Sequence, residues 1–281
     1  MNIFKLLSSV WVLDISLLIL CGLIFSGYFT LYRNKLSNRS IFFLIGFVLL
    51  VFALLSPLNN LSKTYLFSAN MFQHMLLLLV IPLFFIFSIS ESTVKRLMKR
   101  NGFDKTISIL CNPVIAWFLG VGSMWIWHLP SIHEAAINNE IIRYFQIISF
   151  LLFGLIFWWP VFSPIKQKRL NPLLSTLYLA SACLGCTVLG ILITFAQTGI
   201  YAIYLNPAES MGIVSYLRND LCLSPKVDQQ IGGLTMWVPG CILYLIASMI
   251  TLANWYRTPD YDTPLLVNSK NNLLANNFLQ N

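Results

Sequence analysis

Long apolar segments separated by short polar connections run along most of the chain. Each segment is close to the roughly 20 residues that an α-helix needs to cross the hydrocarbon core of a bilayer. Seven of them are predicted as transmembrane helices, at residues 10–31, 41–58, 66–88, 107–127, 141–163, 173–196 and 231–256. The pattern therefore predicts an all-α polytopic membrane protein: a seven-helix transmembrane domain over residues 1–256, followed by a disordered cytoplasmic tail over residues 257–281 that is Asn-rich and poorly apolar.

The composition agrees with this fold class. Hydrophobic residues make up 57% of the 281 residues and charged residues only 10%, whereas about a quarter of the residues in soluble domains are charged. The mean hydropathy is +0.74. These values exclude an ordinary soluble globular protein.

The basic residues are unevenly divided between the two sides of the predicted bundle. Of the 18 Lys and Arg residues, thirteen fall on the side of the C-terminus and five, Arg143 among them, on the side of the N-terminus. Because cytoplasmic loops retain positive charge, the division predicts an N-out, C-in topology. The net charge of +8 is thus explained by topology, and no nucleic-acid partner is implied.

The first apolar segment is predicted to be a retained helix, because Asp14 interrupts it and no small-residue cleavage site follows. Five of the six cysteines fall within apolar segments, so no disulfide framework is implied. Cys183 and Cys186 have the CxxC spacing, but apolar surroundings keep thiols protonated and slow. Close helix packing is therefore favoured there over a dithiol or a soft-metal relay.

Polar and ligand-type side chains gather at the predicted outer ends of four helices. Such side chains are costly inside a membrane and are functional candidates by default. The helical spacing brings Asn70 close to His74, and Met124 close to His128. The candidate metal ligands are His74, His128, Met71 and Met124, and the candidates for a polar pocket beside them are Asn70, Asp228, Gln229 and Asp14.

Imidazole and thioether groups together favour Cu(I) over hard cations such as Mg²⁺. Transiently bound copper is therefore one hypothesis for a cofactor, and no other cofactor is implied. Alternatives stay open at this stage: His74 could make a neutral interhelical hydrogen bond, His128 could cap its helix, and the methionines could fill gaps in the core. His133, next to Glu134, is predicted to be solvated in a loop.

The longest connection, from Gln197 to Gln230, lies on the predicted outer side. It carries Tyr201, Tyr204 and Tyr216. Long connections in compact domains tend to be functional or to pack on the domain. This one is predicted to pack over the mouth of the bundle.

Four motifs in the chain resemble those of the bacterial CtaG-type cytochrome c oxidase assembly factors, a seven-helix membrane family. They are FSANM at residues 67–71, WHLP at 127–130, FWWP at 157–160 and DQQIGGLTMWVPG at 228–240. The likeness runs from the second predicted span through the seventh. The second and fourth motifs are specific in combination.

This resemblance implies a non-enzymatic factor in the maturation of a haem–copper oxidase, assisting copper delivery or subunit maturation on the outer side of a bacterial cell membrane. The implied partners are oxidase subunits and the lipid bilayer. His128, Asp228 and Gln229 fall within the matching motifs. The chain departs from the family's pattern at three positions where histidines commonly stand: Asn70, Arg143 and Ile147.

Two functions of other classes compete with this interpretation. A transporter of a small solute or metal ion would need a polar path across the inner half of the bundle, where the sequence offers few polar residues. A membrane redox protein could use His74 and His128 as haem ligands, or the cysteine pair as a dithiol. Neither alternative explains the motifs.

Overall fold

The structure is a computed structural model that describes residues 11–32, 38–98, 112–207 and 212–257. The predicted tail lies outside the described residues apart from Arg257, which ends the last helix. The predicted first residues of the first and fourth spans also lie outside them, as does Cys111.

The described part of the chain is helical and contains no strands. In chain order the main helices are α1 (Ile15–Tyr32), α2 (Ser40–Leu55), α3 (Pro57–Tyr65), α4 (Phe67–Ser88), α5 (Glu91–Met98), α6 (Pro113–Trp127), α7 (Pro130–Asn138), α8 (Glu140–Phe162), α9 (Pro172–Phe195) and α10 (Pro225–Arg257). Single turns at Lys166–Lys168, Ala202–Tyr204, Ile213–Ser215 and Tyr216–Asp220 lie in the connections.

Five of these helices, α1, α4, α8, α9 and α10, are long and apolar enough to cross a membrane. The count reaches the predicted seven if α2 with α3, and α6 with α7, each form one bent span. The prediction of an all-α polytopic membrane protein is confirmed.

Two predicted spans are not straight helices. The chain bends by 47° between α2 and α3 and by 77° between α6 and α7. At both bends a proline occupies the first helical turn, and the residue before it, Ser56 or Leu129, is extended. Because proline lacks an N–H and disfavours helical geometry in the preceding residue, each proline ends one helix and begins another.

Two helix starts also differ from the prediction. Helix α1 begins at Ile15 because the Asp14 carboxylate accepts hydrogen bonds from the backbone N–H groups of Ser16 and Leu17, at 2.9 and 3.2 Å, as a helix N-cap does. Helix α10 begins at Pro225, six residues before the predicted start at residue 231. Asp228 and Gln229 consequently lie in its first turns, and the preceding connection is shorter than predicted.

Small residues let the central helices approach closely. A Cβ atom on Gly233 of α10 would clash with Thr194 and would lie 2.9 Å from the carbonyl oxygen of Gly190 on α9. A Cβ atom on Gly154 of α8 would clash with the backbone of Leu78 on α4. Interfaces of this kind are typical of helix packing in membranes.

Helix α1 is peripheral, whereas α4 lies at the centre of the bundle. In the most apolar 18-residue stretch of each helix, 17% of α1 is buried inside the protein, against 67% of α4. The side chains of the central helix are therefore the ones placed to form a shared interior site.

Candidate functional site

Three histidines from two separate parts of the chain meet inside the bundle. The ring centroid of His74 on α4 lies 5.6 Å from that of His128 and 6.3 Å from that of His133, and the latter two lie 6.4 Å apart. All three side chains are buried, with His133 fully inaccessible. We call them the histidine cluster. The prediction that His133 is solvated is wrong.

The bend between α6 and α7 explains how His128 and His133 come together. His128 follows the last residue of α6 and Pro130 begins α7, so the chain turns by 77° between the two imidazoles. His133 then lies in the first turn of α7, where its N–H donates to the carbonyl of Leu129. The WHLP motif thus places both histidines on the interior side of one turn.

The imidazole of His128 is fixed by one nitrogen and approaches sulfur with the other. Its Nδ1 lies 2.5 Å from the carbonyl oxygen of Met124, so Nδ1 carries the proton there and Nε2 keeps its lone pair. Nε2 lies 3.0 Å from Sδ of Met71, which is fully buried. The sulfur of Met124 has another partner, the thiol of Cys186 at 3.6 Å. Of the four candidate ligands, His74, His128 and Met71 are therefore brought together.

Several buried polar atoms at and near the cluster have no hydrogen-bond partner among the described residues. They are Nδ1 of His74, both ring nitrogens of His133, Oδ1 of Asn70 and Nε2 of Gln146 on α8. Nearly all buried polar groups in folded proteins are paired, and each unpaired one costs about 1–3 kcal/mol. Such a concentration indicates a place for water or a ligand.

The described residues contain no group of three or more His, Cys, Asp or Glu side chains arranged to hold a metal ion. The three imidazoles are neighbours, but their nitrogens do not converge on one point. A close approach between two candidate ligand atoms joins Nε2 of His128 to the thioether sulfur of Met71, at 3.0 Å. The cluster is therefore not a closed metal centre of the structural zinc type.

Asp228 and Gln229, predicted beside the histidines, are used to cap helices. The Asp228 carboxylate accepts from the backbone N–H groups of Phe67 and Ser68 at 2.8 and 3.1 Å, and from the Ser68 hydroxyl. It therefore supplies acceptors for backbone N–H groups in the first turn of α4, which have no partner within the helix. The Gln229 amide donates to carbonyls at the end of α9, including that of Ile193 at 3.1 Å, and accepts from Gly199 N–H. We call residues 228–240 the capping block.

The other two predicted pocket residues are divided between different places. Asp14 caps α1 and accepts from the Tyr144 hydroxyl at 3.0 Å, so its bonds are made apart from the histidines. Asn70 lies one turn before His74 and donates to the carbonyl of Ser62 at 3.1 Å. Its Oδ1 has no hydrogen-bond partner among the described residues, as is also the case for Nδ1 of the neighbouring His74.

The described part of the connection between α9 and α10, which was predicted to pack over the mouth of the bundle, packs against the cluster. The Tyr201 hydroxyl donates to the carbonyl of His128 at 2.8 Å, and its ring stacks on Phe67 with centroids 4.5 Å apart. The Tyr204 hydroxyl donates to the carbonyl of Ser62 at 2.7 Å. Burial raises the pKa of both tyrosine hydroxyls well above the usual value, so both remain neutral donors.

Arg143 is a functional candidate that the sequence reasoning missed. Although it was counted among the basic residues on the side of the N-terminus, the side chain is only 3% exposed. From the first turn of α8 its Nη2 reaches Asn59 Oδ1, Ser62 Oγ and Gln73 Oε1, at 2.8, 3.0 and 3.2 Å. Neither ion pair found in the described residues includes it. The sequence carries no signal for these partners, because they lie on distant helices.

The five cysteines of the described residues are free. Cys186 is fully buried and lies 3.6 Å both from the sulfur of Met124 and from the hydroxyl of Tyr244. It thus packs between α6, α9 and α10. This environment agrees with the packing role that its sequence setting favoured.

The comparisons with known proteins agree with these motifs. Residues 24–258 match the family described as cytochrome c oxidase caa3 assembly factor (Caa3_CtaG). The uncharacterized protein ML1998 of Mycobacterium leprae (strain TN) is 24% identical in an alignment of 235 residues that covers 78% of this chain and 34% of that protein. The chain therefore spans about a third of that relative's length, and no solved structure is significantly similar. Because the family match covers most of the chain, the protein belongs to the cytochrome c oxidase caa3 assembly factor family.

Proposed function

We propose that this protein assists the maturation of a haem–copper cytochrome c oxidase by holding copper, as cargo, at the histidine cluster before its transfer to an oxidase subunit. Membership of the assembly factor family supports a role in oxidase maturation. The observation that carries the copper step is the meeting of three buried imidazoles beside the sulfur of Met71, with unpaired nitrogens on His74 and His133.

The ligand types suit Cu(I). Thioether sulfur selects soft ions, and imidazole suits copper generally. The carbonyl of Met124 holds His128 with Nε2 free to bind, which is how an outer hydrogen bond usually orients a metal-binding histidine. The Met71 sulfur is close enough to that nitrogen for both to bind one ion.

The geometry suits passage of the ion better than permanent storage. Because the imidazole nitrogens do not converge, His74 and His133 would have to turn about their side-chain torsions to join His128 and Met71. A site that closes only around its ion releases it more readily than a preformed one. The proposed act is therefore ligand exchange between two proteins, with no catalysed covalent step.

We further propose that the protein lies in a bacterial cell membrane, N-out and C-in, with the cluster near the outer side. The excess of basic residues in the predicted inner loops supports this orientation. A reporter fused after Asn281 should then behave as cytoplasmic, and one inserted near Asn206 as external. The reverse pattern would place the cluster on the wrong side for this function.

The decisive experiment removes the gene and measures terminal oxidase activity with and without added copper. We expect activity to fall in low copper and to recover in part when copper is supplied, because excess ion can bypass a carrier. Unchanged activity in both media would overturn the proposal. A Soret band in the optical spectrum of the purified protein would instead favour the haem alternative.

A further inference from the structure

A fixed positive charge lies beside the histidine cluster. The Arg143 side chain is buried, and a guanidinium stays protonated in proteins. Its Nη2 donates to neutral acceptors on Asn59, Ser62 and Gln73, and it takes part in neither of the ion pairs formed by the described residues. A buried charge is screened much less than an exposed one. The positive field of Arg143 therefore extends into the surrounding core.

Hydrogen bonds connect Arg143 to the residues around the imidazoles. Gln73, one of its acceptors, immediately precedes His74 on α4. The Ser62 hydroxyl accepts from Arg143, and the Ser62 carbonyl accepts from the Asn70 amide at 3.1 Å. The charge of Arg143 acts on two imidazoles of the cluster, one on α4 and one on α7. An ion bound between these imidazoles would be repelled by the same charge.

The carboxylates of Asp14, Glu140 and Asp228 have other partners. The charge of Asp14 acts on Arg143, but its oxygens accept from N–H groups of α1 and from a tyrosine hydroxyl of α8. Glu140 is paired with Lys63. Asp228 accepts three hydrogen bonds at the start of α4, where the helix dipole is positive. In the described part of the chain, no carboxylate contacts Arg143 to cancel its charge.

A fixed charge of this kind discriminates between ions by their own charge. Imidazole binds Zn²⁺ and Cu²⁺ as well as Cu(I), and Cu²⁺ ranks highest among the divalent ions in general affinity. Coulomb repulsion is proportional to the charge on the ion. Arg143 therefore penalises a divalent ion about twice as much, in free energy, as a monovalent one. The thioether of Met71 selects for softness, whereas Arg143 selects for low charge.

We propose that Arg143 is a specificity-determining residue of the histidine cluster, whose charge excludes divalent ions and leaves monovalent Cu(I) as the cargo. This inference rests on the copper proposal and deepens it, because it gives the site a means of rejecting Zn²⁺ and Cu²⁺. The same repulsion lowers the affinity for Cu(I) by a smaller factor, which suits a site that must release its ion. Arg143 acts through space and is not a ligand, since its guanidinium keeps its proton.

The test compares Ag⁺, a redox-inert monovalent substitute for Cu(I), with Zn²⁺ in binding titrations of the purified full-length protein. Arg143→Gln should raise the affinity for Ag⁺ about tenfold and that for Zn²⁺ about a hundredfold, because the Coulomb energy doubles with the charge of the ion. Arg143→Lys keeps the charge and should stay near wild type. Lys63→Gln is the matched control: it removes a charge that is 34% exposed and paired with Glu140, and the ratio of the two affinities should not change.

A second variant neutralises the charge while Arg143 stays in place. Asn59→Asp has nearly the same shape, and Oδ1 of Asn59 already accepts from Nη2 at 2.8 Å. It should raise the affinity for Zn²⁺ more than that for Ag⁺, and it decides the matter if Arg143→Gln does not fold. No change, or an equal change for both ions, would overturn the inference and leave the copper proposal standing. Failure of wild type and of every variant to bind either ion would overturn both.

Discussion

The histidine cluster lies at the same end of the bundle as Asp228 and Gln229, the first two residues of the capping block, and all of these side chains are buried and polar. They nevertheless differ in how their polar atoms are used. The side chains of Asp228 and Gln229 form hydrogen bonds with backbone groups at the start of α4 and the end of α9, respectively. His74 and His133, by contrast, retain unpaired ring nitrogens.

This difference separates side chains that stabilise the fold from side chains that are available to bind a ligand. A buried carboxylate that caps a helix contributes to stability, and its loss leaves backbone donors unpaired. A buried imidazole without a partner lowers stability, so it persists only where something else benefits. The first residues of the longest family motif therefore cap helices, whereas the unpaired imidazoles lie outside it, at His74 and His133.

The largest expected effect comes from the glycines of the capping block. We expect Gly233→Ala to destabilise the protein by about 1–3 kcal/mol or more, since the new Cβ would overpack the interface with α9. Membrane abundance and the thermal unfolding midpoint measure this. Gly22→Ala on α1 is the matched control, because no atom lies within 4 Å of its Cβ position. A stable Gly233→Ala protein would show that α9 and α10 are not so tightly packed.

Removing an imidazole should affect copper and spare the fold. His128→Ala is expected to reduce copper retention, measured by metal analysis after reconstitution with Cu(I), by about tenfold or more because a ligand is lost. The unfolding midpoint should stay near that of wild type. If the variant retains copper fully, the ion is held elsewhere.

Removing the cap from α4 should do the reverse. Asp228→Ala leaves the N–H groups of Phe67 and Ser68 without their acceptor, and we expect a loss of about 1–3 kcal/mol in stability. Copper retained per folded molecule should not change. A selective loss of copper at normal stability would show that Asp228 contributes to copper binding at the cluster.

The smallest effect is expected for the cysteines. The double variant Cys183→Ser with Cys186→Ser should change oxidase maturation less than about twofold, because buried protonated thiols react slowly. The measurement is oxidase activity in the complemented deletion strain. An inactive but abundant double variant, together with a fully active His128→Ala protein, would move the chemistry to α9.

Most of the helices follow from the apolar pattern, because a bilayer imposes their length. The bends at Pro57 and Pro130 were not predicted, since hydropathy averages over a break of one or two residues. The burial of His133 was missed for the same reason: it depends on the 77° turn that brings α7 back over the bundle.

Most contacts of the candidate site join residues on different helices, and the spacing of residues in the sequence does not predict such contacts. The helical period correctly placed Asn70 near His74. It could not show that Asp228 contacts the start of α4, 160 residues earlier in the chain, or that Arg143 lies against α3 and α4. Those pairings arise from how whole helices pack.

The hydrogen bonds of Arg143 also bear on the order in which the protein enters the membrane. An arginine within a transmembrane helix opposes insertion, by about 2.5–3.5 kcal/mol at the helix centre and by less in the first turn, where Arg143 lies. Its acceptors, Asn59, Ser62 and Gln73, are all synthesised before α8. Helix α8 therefore reaches the membrane after its partners are already present, and a chain that lacks α3 and α4 should insert α8 less efficiently.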